Sequence, residues 1–79
     1  MTVKLLFFGA TSDAVGSREL ELTADETTTA RSLIDQLSRN YPALANHKLL
    51  IAVNEEYADA ETVVHDGDEI AIFTAVSGG

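Results

Sequence analysis

The sequence is that of one small acidic domain: its 79 residues are 46% hydrophobic and carry a formal net charge of −8, which suits a single core. The absence of cysteine excludes a disulfide framework, a zinc–thiolate cluster and a thiol nucleophile. Nucleic-acid binding is disfavoured because no basic stripe is present, and without a signal peptide or a run of about 20 apolar residues we expect a cytoplasmic protein with no membrane contact.

Two strands are predicted in the first part of the chain. The segment from Val3 to Phe8 is rich in aromatic and branched residues and is closed by Gly9, which is typical of a strand. Residues 9–17 have glycines near both ends and are predicted to form a loop. From Arg18 to Leu22 polar and apolar residues alternate, which indicates the second strand.

A helical period follows. Its apolar residues fall at i, i+3, i+4, i+7 and i+11, which places them on one face of a helix. These residues are Ala30, Leu33, Ile34, Leu37 and Tyr41. Thr28 or Thr29 is suited to cap the start of the helix, and Pro42 forbids its continuation.

The remaining elements are strands and turns. Leu49 to Val53 is an apolar run of strand length, and Val63-Val64 is predicted to be a short strand or a turn edge. His65 to Asp68 contains an Asp-Gly turn signal. Glu69 to Val76 is the last predicted strand, so the element order is β-β-α-β-(β)-β.

This order predicts an α+β fold in which one main helix packs on one face of a small mixed sheet. It matches the β-grasp arrangement, with the first and last strands side by side at the sheet centre. We expect a β-grasp domain at residues 1–75 and a flexible tail at residues 76–79. The predicted core consists of Leu5, Phe7, Leu33, Ile34, Leu37, Ile70 and Ile72.

Most catalytic arrangements are missing from the sequence. His47 and His65 are the only histidines and fall in different segments, so no metal site is predicted. Residues 66–69 lack the regularly spaced oxygen ligands of a calcium loop and are better explained as a tight turn. Neither a nucleophile elbow nor a phosphate-binding glycine loop is present.

The strongest candidate for chemistry is the end of the sequence, Gly78-Gly79. A C-terminal carboxylate can be adenylated, and the acyl-adenylate can then be attacked by sulfur. Glycine at the last position removes the side chain that would crowd this attack, and glycine before it lets the backbone thread a narrow channel. These two residues alone are equally compatible with a frayed terminus of no function.

The acidic residues are unevenly distributed. Residues 1–48 contain six acids and all five bases, whereas residues 49–79 contain seven acids and no base. This asymmetry indicates docking onto basic partners through the second half. General solubility or a salt-adapted source explains it equally well.

Over nearly its whole length the chain resembles the MoaD/ThiS-type ubiquitin-like sulfur carriers, and most of all the family of small subunits of molybdopterin synthase (MoaD). Thr74-Ala75 departs from that family's pattern of one or two prolines before the last four residues. An Ala-Val at this place is instead similar to the thiamine-pathway carriers. The matching blocks are Val3 to Ala10, Thr29 to Leu37, Val53 to Tyr57, His65 to Phe73, and Val76 to Gly79.

The resemblance implies a sulfur carrier for molybdenum cofactor biosynthesis. An E1-like enzyme would adenylate Gly79 with ATP, and a sulfurtransferase would complete the thiocarboxylate. The tail, including Val76, Ser77 and Gly78, would enter the large synthase subunit and give its sulfur to cyclic pyranopterin monophosphate. The chain would be a non-catalytic sulfur donor in a heterotetramer, binding no cofactor or metal itself, with the catalytic side chains on the large subunit.

We expect the large subunit and the activating enzyme to share one surface beside the tail. Phe7 or Phe8, with Phe73 and Ala75, would form its apolar centre, and the acids of residues 55–69 its rim. Other readings on the same fold are a thiamine-pathway carrier, a tRNA-thiolation carrier and a ubiquitin-like protein modifier. A plain interaction domain is a further alternative.

Overall fold

The computed structural model describes residues 1–74, which form five strands, two α-helices and one 3₁₀ helix. Alternating side chains in the strands and the helical period after residue 29 produce these elements. In chain order they are β1 (Thr2–Phe7), α1 (Ala10–Val15), β2 (Glu19–Thr23), α2 (Ala30–Asn40), the 3₁₀ helix (Pro42–Asn46), β3 (Leu49–Val53), β4 (Glu56–Tyr57) and β5 (Glu69–Thr74).

The five strands form one mixed sheet in the order β2-β1-β5-β3-β4. β1 pairs antiparallel with β2 and parallel with β5, while β3 pairs antiparallel with β5 and with β4. The first and last strands therefore lie side by side in the sheet, as predicted. With α2 on one face, this is the predicted β-grasp fold.

The main helix begins and ends where the sequence predicts. Thr29, one of the two predicted caps, forms a capping box with Ser32: each side chain accepts from the other residue's backbone N–H, at 3.2 and 2.8 Å. Pro42 follows the helix end and starts the 3₁₀ helix, which the sequence analysis did not predict. That turn inserts Leu44 fully into the core.

The core lies between α2 and the sheet. Of the predicted core residues, Ile34 is only partly buried and packs against the others from the side. The other residues of the core cluster, which the predicted core did not include, are Val3, Ala30, Leu44, Ile51 and Val64. The predicted residues that are buried are Leu5, Phe7, Leu33, Leu37, Ile70 and Ile72.

One correction concerns the predicted loop at residues 9–17, which contains the short helix α1. Its last turn is closed by Gly16, which has a φ of 81° and donates its N–H to the carbonyl of Ser12. Left-handed backbone of this kind is the usual end of a helix and favours glycine. Thr11 of this helix is completely buried, so the segment packs onto the sheet.

A second correction concerns the short fourth strand, which is Glu56–Tyr57 and not Val63-Val64. Asn54 and Glu55 have φ values of 50° and 72°, which is the type I′ geometry that joins two strands in a tight hairpin. Val63 forms one isolated antiparallel β-bridge with Thr29 and does not extend into a strand. The alternative reading of Val63-Val64 as a turn edge is therefore the right one.

Within residues 1–74 no helix is long and apolar enough to cross a membrane.

The helix face can be tested with Leu37→Ala. Leu37 is 1% exposed, and truncation of a buried leucine should lower the free energy of unfolding by about 2–5 kcal/mol. Asp35→Ala, at an exposed position of the same helix, is the control and should change it by less than about 0.5 kcal/mol. Urea unfolding measures both, and equal stability of the two variants would contradict this packing.

Candidate functional site

One face of the sheet is covered by α2 and the other is not. The uncovered face is formed by the residues of β1 and β5 that lie between the core residues in sequence. Leu5 and Phe7 point to the helix together with their partners Ile70 and Ile72. Successive side chains of a strand point to opposite faces, so their neighbours point away from the helix. These neighbours are Leu6, Phe8, Ala71 and Phe73.

This apolar surface continues onto the next two strands. Leu50 is the cross-strand partner of Phe73, and the ring of Tyr57 lies 5.8 Å from that of Phe73, centroid to centroid. Tyr57 is 79% exposed and Phe8 is 52% exposed. We call this surface the open sheet face and define it by Leu6, Phe8, Leu50, Tyr57, Ala71 and Phe73.

The structure decides between the two phenylalanines that the sequence left open. Phe7 is 2% exposed and belongs to the core, whereas Phe8 lies on the open sheet face. The backbone N–H of Phe8 donates to the carbonyl of Ile72 at 3.2 Å, which fixes Phe8 beside the end of β5. Tyr57 was missed because the predicted strand ends at Val53 and no element was predicted for residues 54–57.

The segment after β5 starts at the same end of the sheet. Thr74 pairs with Leu49, the first residue of β3, and lies just beyond the Phe7–Ile72 pair. The predicted site residues of the tail lie outside the described residues; they are Ala75, Val76, Ser77, Gly78 and Gly79. The described part of the chain therefore brings Phe8 and Phe73 to the point from which these residues continue.

Thr11 is a buried polar residue at this end of the sheet. Its hydroxyl donates to the carbonyl oxygens of Phe8 and Ile72, at 2.7 and 2.9 Å, and accepts from the N–H of Phe8 at 3.0 Å. The hydroxyl thus joins α1 to the ends of both β1 and β5. No sequence signal distinguished this threonine, because hydroxyl residues are common in exposed loops.

Most of the predicted acidic rim lies at the far end of the sheet. β5 starts at Glu69 and runs to Thr74, so these two residues are roughly 17 Å apart at the usual rise per residue. Glu55, Glu56, Asp66 and Asp68 lie around the start of β5, in the β3–β4 hairpin and in the turn that precedes β5. These four acids therefore lie at the opposite end of β5 from Thr74.

Two other charged groups of the described segment make short-range contacts within turns. Hydrogen bonds from the side chain and the backbone N–H of Thr27 lower the pKa of the exposed Asp25 carboxyl below 3.8. His65 lies 3.8 Å from Asp68 at the edge of the turn. Between residues 1 and 74, no three His, Cys, Asp or Glu side chains are grouped to hold a metal ion.

Sequence comparisons identify a family and close relatives. The model of the ThiS family matches residues 5–79. A Mycobacterium tuberculosis protein named molybdopterin synthase sulfur carrier subunit is 40% identical, over 98% of this chain and 96% of the relative. The Escherichia coli protein of the same name is 36% identical over 98% of this chain and 99% of its own length.

Solved structures with the same fold include modifiers and carriers. SAMP1 from Haloferax volcanii has a TM-score of 0.85 and 26% identity, with 100% of both chains covered. The complex of subunits 1 and 2 of the molybdopterin-converting factor from Helicobacter pylori contains a chain with a TM-score of 0.69 and 24% identity, again with 100% of both chains covered. At this identity the second likeness supports the fold alone.

The role of Thr11 can be tested with Thr11→Val. Loss of the hydroxyl leaves the carbonyl of Ile72 without this donor and should lower the free energy of unfolding by about 1–3 kcal/mol. Thr11→Ser keeps the hydroxyl and should be the more stable of the two variants. If urea unfolding found the valine variant as stable as the wild type, the hydroxyl would not hold α1 on the sheet.

Proposed function

The chain belongs to the ThiS family, and we propose that it is the sulfur-carrier subunit of molybdopterin synthase. The observation that carries this proposal is its 40% identity, over nearly the full length of both chains, to a subunit of that name. Several other relatives with the same name match 96% or more of this chain. The fold agrees, because β5 ends at the open sheet face just before the Gly78-Gly79 sequence.

In this proposal the sulfur is carried on the main chain. The carboxylate of Gly79 attacks the α-phosphate of ATP on an E1-like enzyme, which releases pyrophosphate and gives an acyl-adenylate. The terminal sulfur of a sulfurtransferase persulfide then attacks the carbonyl and displaces AMP. A thiol cleaves the resulting acyl disulfide, which releases the thiocarboxylate and leaves a disulfide between the two thiols. The lack of side chains at Gly78 and Gly79 leaves room for both attacks.

Transfer of the sulfur then takes place on the large subunit of the synthase. Residues 76–79 would enter that subunit and present the thiocarboxylate to cyclic pyranopterin monophosphate, and the sulfur would become part of the dithiolene. The catalytic side chains for this step would belong to the large subunit. In this account the chain binds no cofactor, and the activating enzyme uses the ATP.

The open sheet face is the proposed docking surface for both partners. Exposed aromatic side chains such as Phe8 and Tyr57 on a sheet face are typical of interaction surfaces. Phe73 lies between them and one residue before Thr74, so a protein that binds this face also reaches the tail. Because the activating enzyme and the large subunit both need the tail, their binding should be mutually exclusive.

A second candidate function is protein modification. SAMP1 from Haloferax volcanii and small archaeal modifier protein 1 (SAMP1) from Methanosarcina acetivorans are each 26% identical to this chain, with TM-scores of 0.85 and 0.80. A modifier would join its Gly79 carboxyl to a lysine amine of another protein. Detection of Gly79-linked lysines in digests of native-host protein would favour this function, whereas a C-terminal thiocarboxylate alone favours the carrier.

The carrier mechanism requires a free carboxylate on Gly79. We expect deletion of Gly79, or addition of one residue after it, to abolish molybdopterin formation in a reconstituted synthase assay, with no change in urea unfolding. As a matched control, an extension that a protease removes up to Gly79 should regain activity after cleavage. Molybdopterin formation by an extended chain that mass spectrometry shows to be uncleaved would contradict the mechanism.

The docking surface can be tested with Phe73→Asp. A charge at the centre of the open sheet face should weaken binding of the large subunit by about tenfold or more, while Phe73→Leu should have a smaller effect. Binding is measured by calorimetry, and thermal unfolding of each variant checks the fold. Wild-type affinity of Phe73→Asp, or one complex that contains both partners on one copy of the chain, would exclude the shared surface.

A further inference from the structure

A separate apolar groove lies at the edge of the sheet, between α2 and β3. Its volume is about 330 Å³. Ile34 of α2 forms part of one wall and Leu49 part of the other, and Ala58 and Ala60 close one end. Tyr57 lies where the groove meets the open sheet face, so the two surfaces are adjacent but face different directions.

The strand that borders this groove has an incompletely paired edge. The N–H of Asn54 donates to the carbonyl of Glu69, so the backbone groups of alternate β3 residues point to β5. Those of Leu49 and Ile51 therefore point the other way, towards the groove. β4 pairs only with Ala52 and Val53.

The outer edge of β3 carries backbone N–H and C=O groups that few residues of the described segment bond. In the described part of the chain, one backbone hydrogen bond reaches the outward groups of Leu49 and Ile51: the N–H of Ala58 donates to the carbonyl of Ile51 at 3.0 Å. Among residues 1–74, no backbone partner bonds the outward N–H of Ile51 or either outward group of Leu49. Such groups are the template to which an extended peptide adds as a further strand.

One charged side chain lines the groove. Arg31 lies in the first turn of α2, and its backbone N–H donates to the carbonyl of Ala60 at 3.0 Å. Its side chain is exposed and makes no ion pair with any residue from 1 to 74. The other lining residues are alanine, leucine, isoleucine and tyrosine, so the groove combines an apolar wall with one cation.

We propose that this groove binds an extended segment of a protein partner, which pairs with β3 at Leu49 and Ile51. Alternate apolar side chains of the segment pack against Ile34 and Leu49, and an aspartate or glutamate of the segment pairs with Arg31. The site uses neither the tail nor Phe8 and Phe73, so it does not depend on the proposed sulfur transfer. It shares Leu50 and Tyr57 with the open sheet face.

A second copy of this chain fits the groove less well. The free stretch of β3 is three residues long and is bounded by β4, so two copies would share few hydrogen bonds. Each copy also carries a formal net charge of −8, and like net charges oppose association. A short peptide segment with a single acid needs only a few backbone hydrogen bonds and carries much less negative charge than a second copy, and its carboxylate can pair with Arg31.

The test is a selection from a random octapeptide library displayed on phage, with the full chain as the target. Selected peptides should contain alternating apolar residues and an acidic residue. When a synthetic selected peptide is added to ¹⁵N-labelled protein, the amide signals of Leu49, Ile51 and Ala58 should shift. Failure to select any peptide, or shifts centred on Phe8 and Phe73 instead, would overturn the proposal.

Two pairs of variants make the test specific. Leu49→Pro removes the outward backbone N–H of residue 49 but no hydrogen bond to β5, and it should weaken peptide binding about tenfold. Leu49→Val keeps that N–H and should bind the peptide nearly as tightly as the wild type. Arg31→Glu should weaken binding of the acidic peptide, and replacement of the peptide's acid by lysine should restore it. Unchanged binding to Leu49→Pro or Arg31→Glu would overturn the proposal, as would dimerisation through this edge in sedimentation experiments.

Discussion

The parallel pairing of β1 with β5 is the interaction on which the rest of the structure depends. Its register places Leu5 beside Ile70 and Phe7 beside Ile72, and all four side chains lie under α2 in the core. Because side chains alternate along a strand, a shift of one residue would exchange the core set for the outward set. The same register therefore creates both the core and the open sheet face.

The direction of β5 separates the molecule into two functional ends. The strand starts among the acidic turns and ends next to Phe8 and the buried hydroxyl of Thr11. The tail thus continues from the end of the sheet at which apolar side chains are exposed. At this end the hydroxyl of Thr11 forms hydrogen bonds with the backbone that follows β1 and with the backbone of β5. Glu55, Glu56, Asp66 and Asp68 lie near the start of β5, where they can influence the approach of a partner by long-range attraction.

Much of the fold could be predicted because short stretches of sequence determine where individual helices and strands begin and end. The capping box of Thr29, the helical period and the apolar run Leu49–Val53 each determine their element through short-range chemistry. The helix within residues 9–17 could not be predicted, because its stability comes from Thr11 contacts with β1 and β5, which are distant in sequence. The choice between Phe7 and Phe8, and the place of Tyr57, likewise depend on the register between strands, which a sequence pattern alone does not specify.

Sulfur carried on the carboxyl group of Gly79 would change the mass of the chain, so intact-mass analysis of protein purified from its native host is the decisive experiment. A fraction of molecules should have one oxygen replaced by sulfur, and fragmentation should locate the change at Gly79. This fraction should disappear when the activating enzyme is deleted from the host. If protein from cells that actively make molybdenum cofactor never carried sulfur at Gly79, the chain would not be a sulfur carrier.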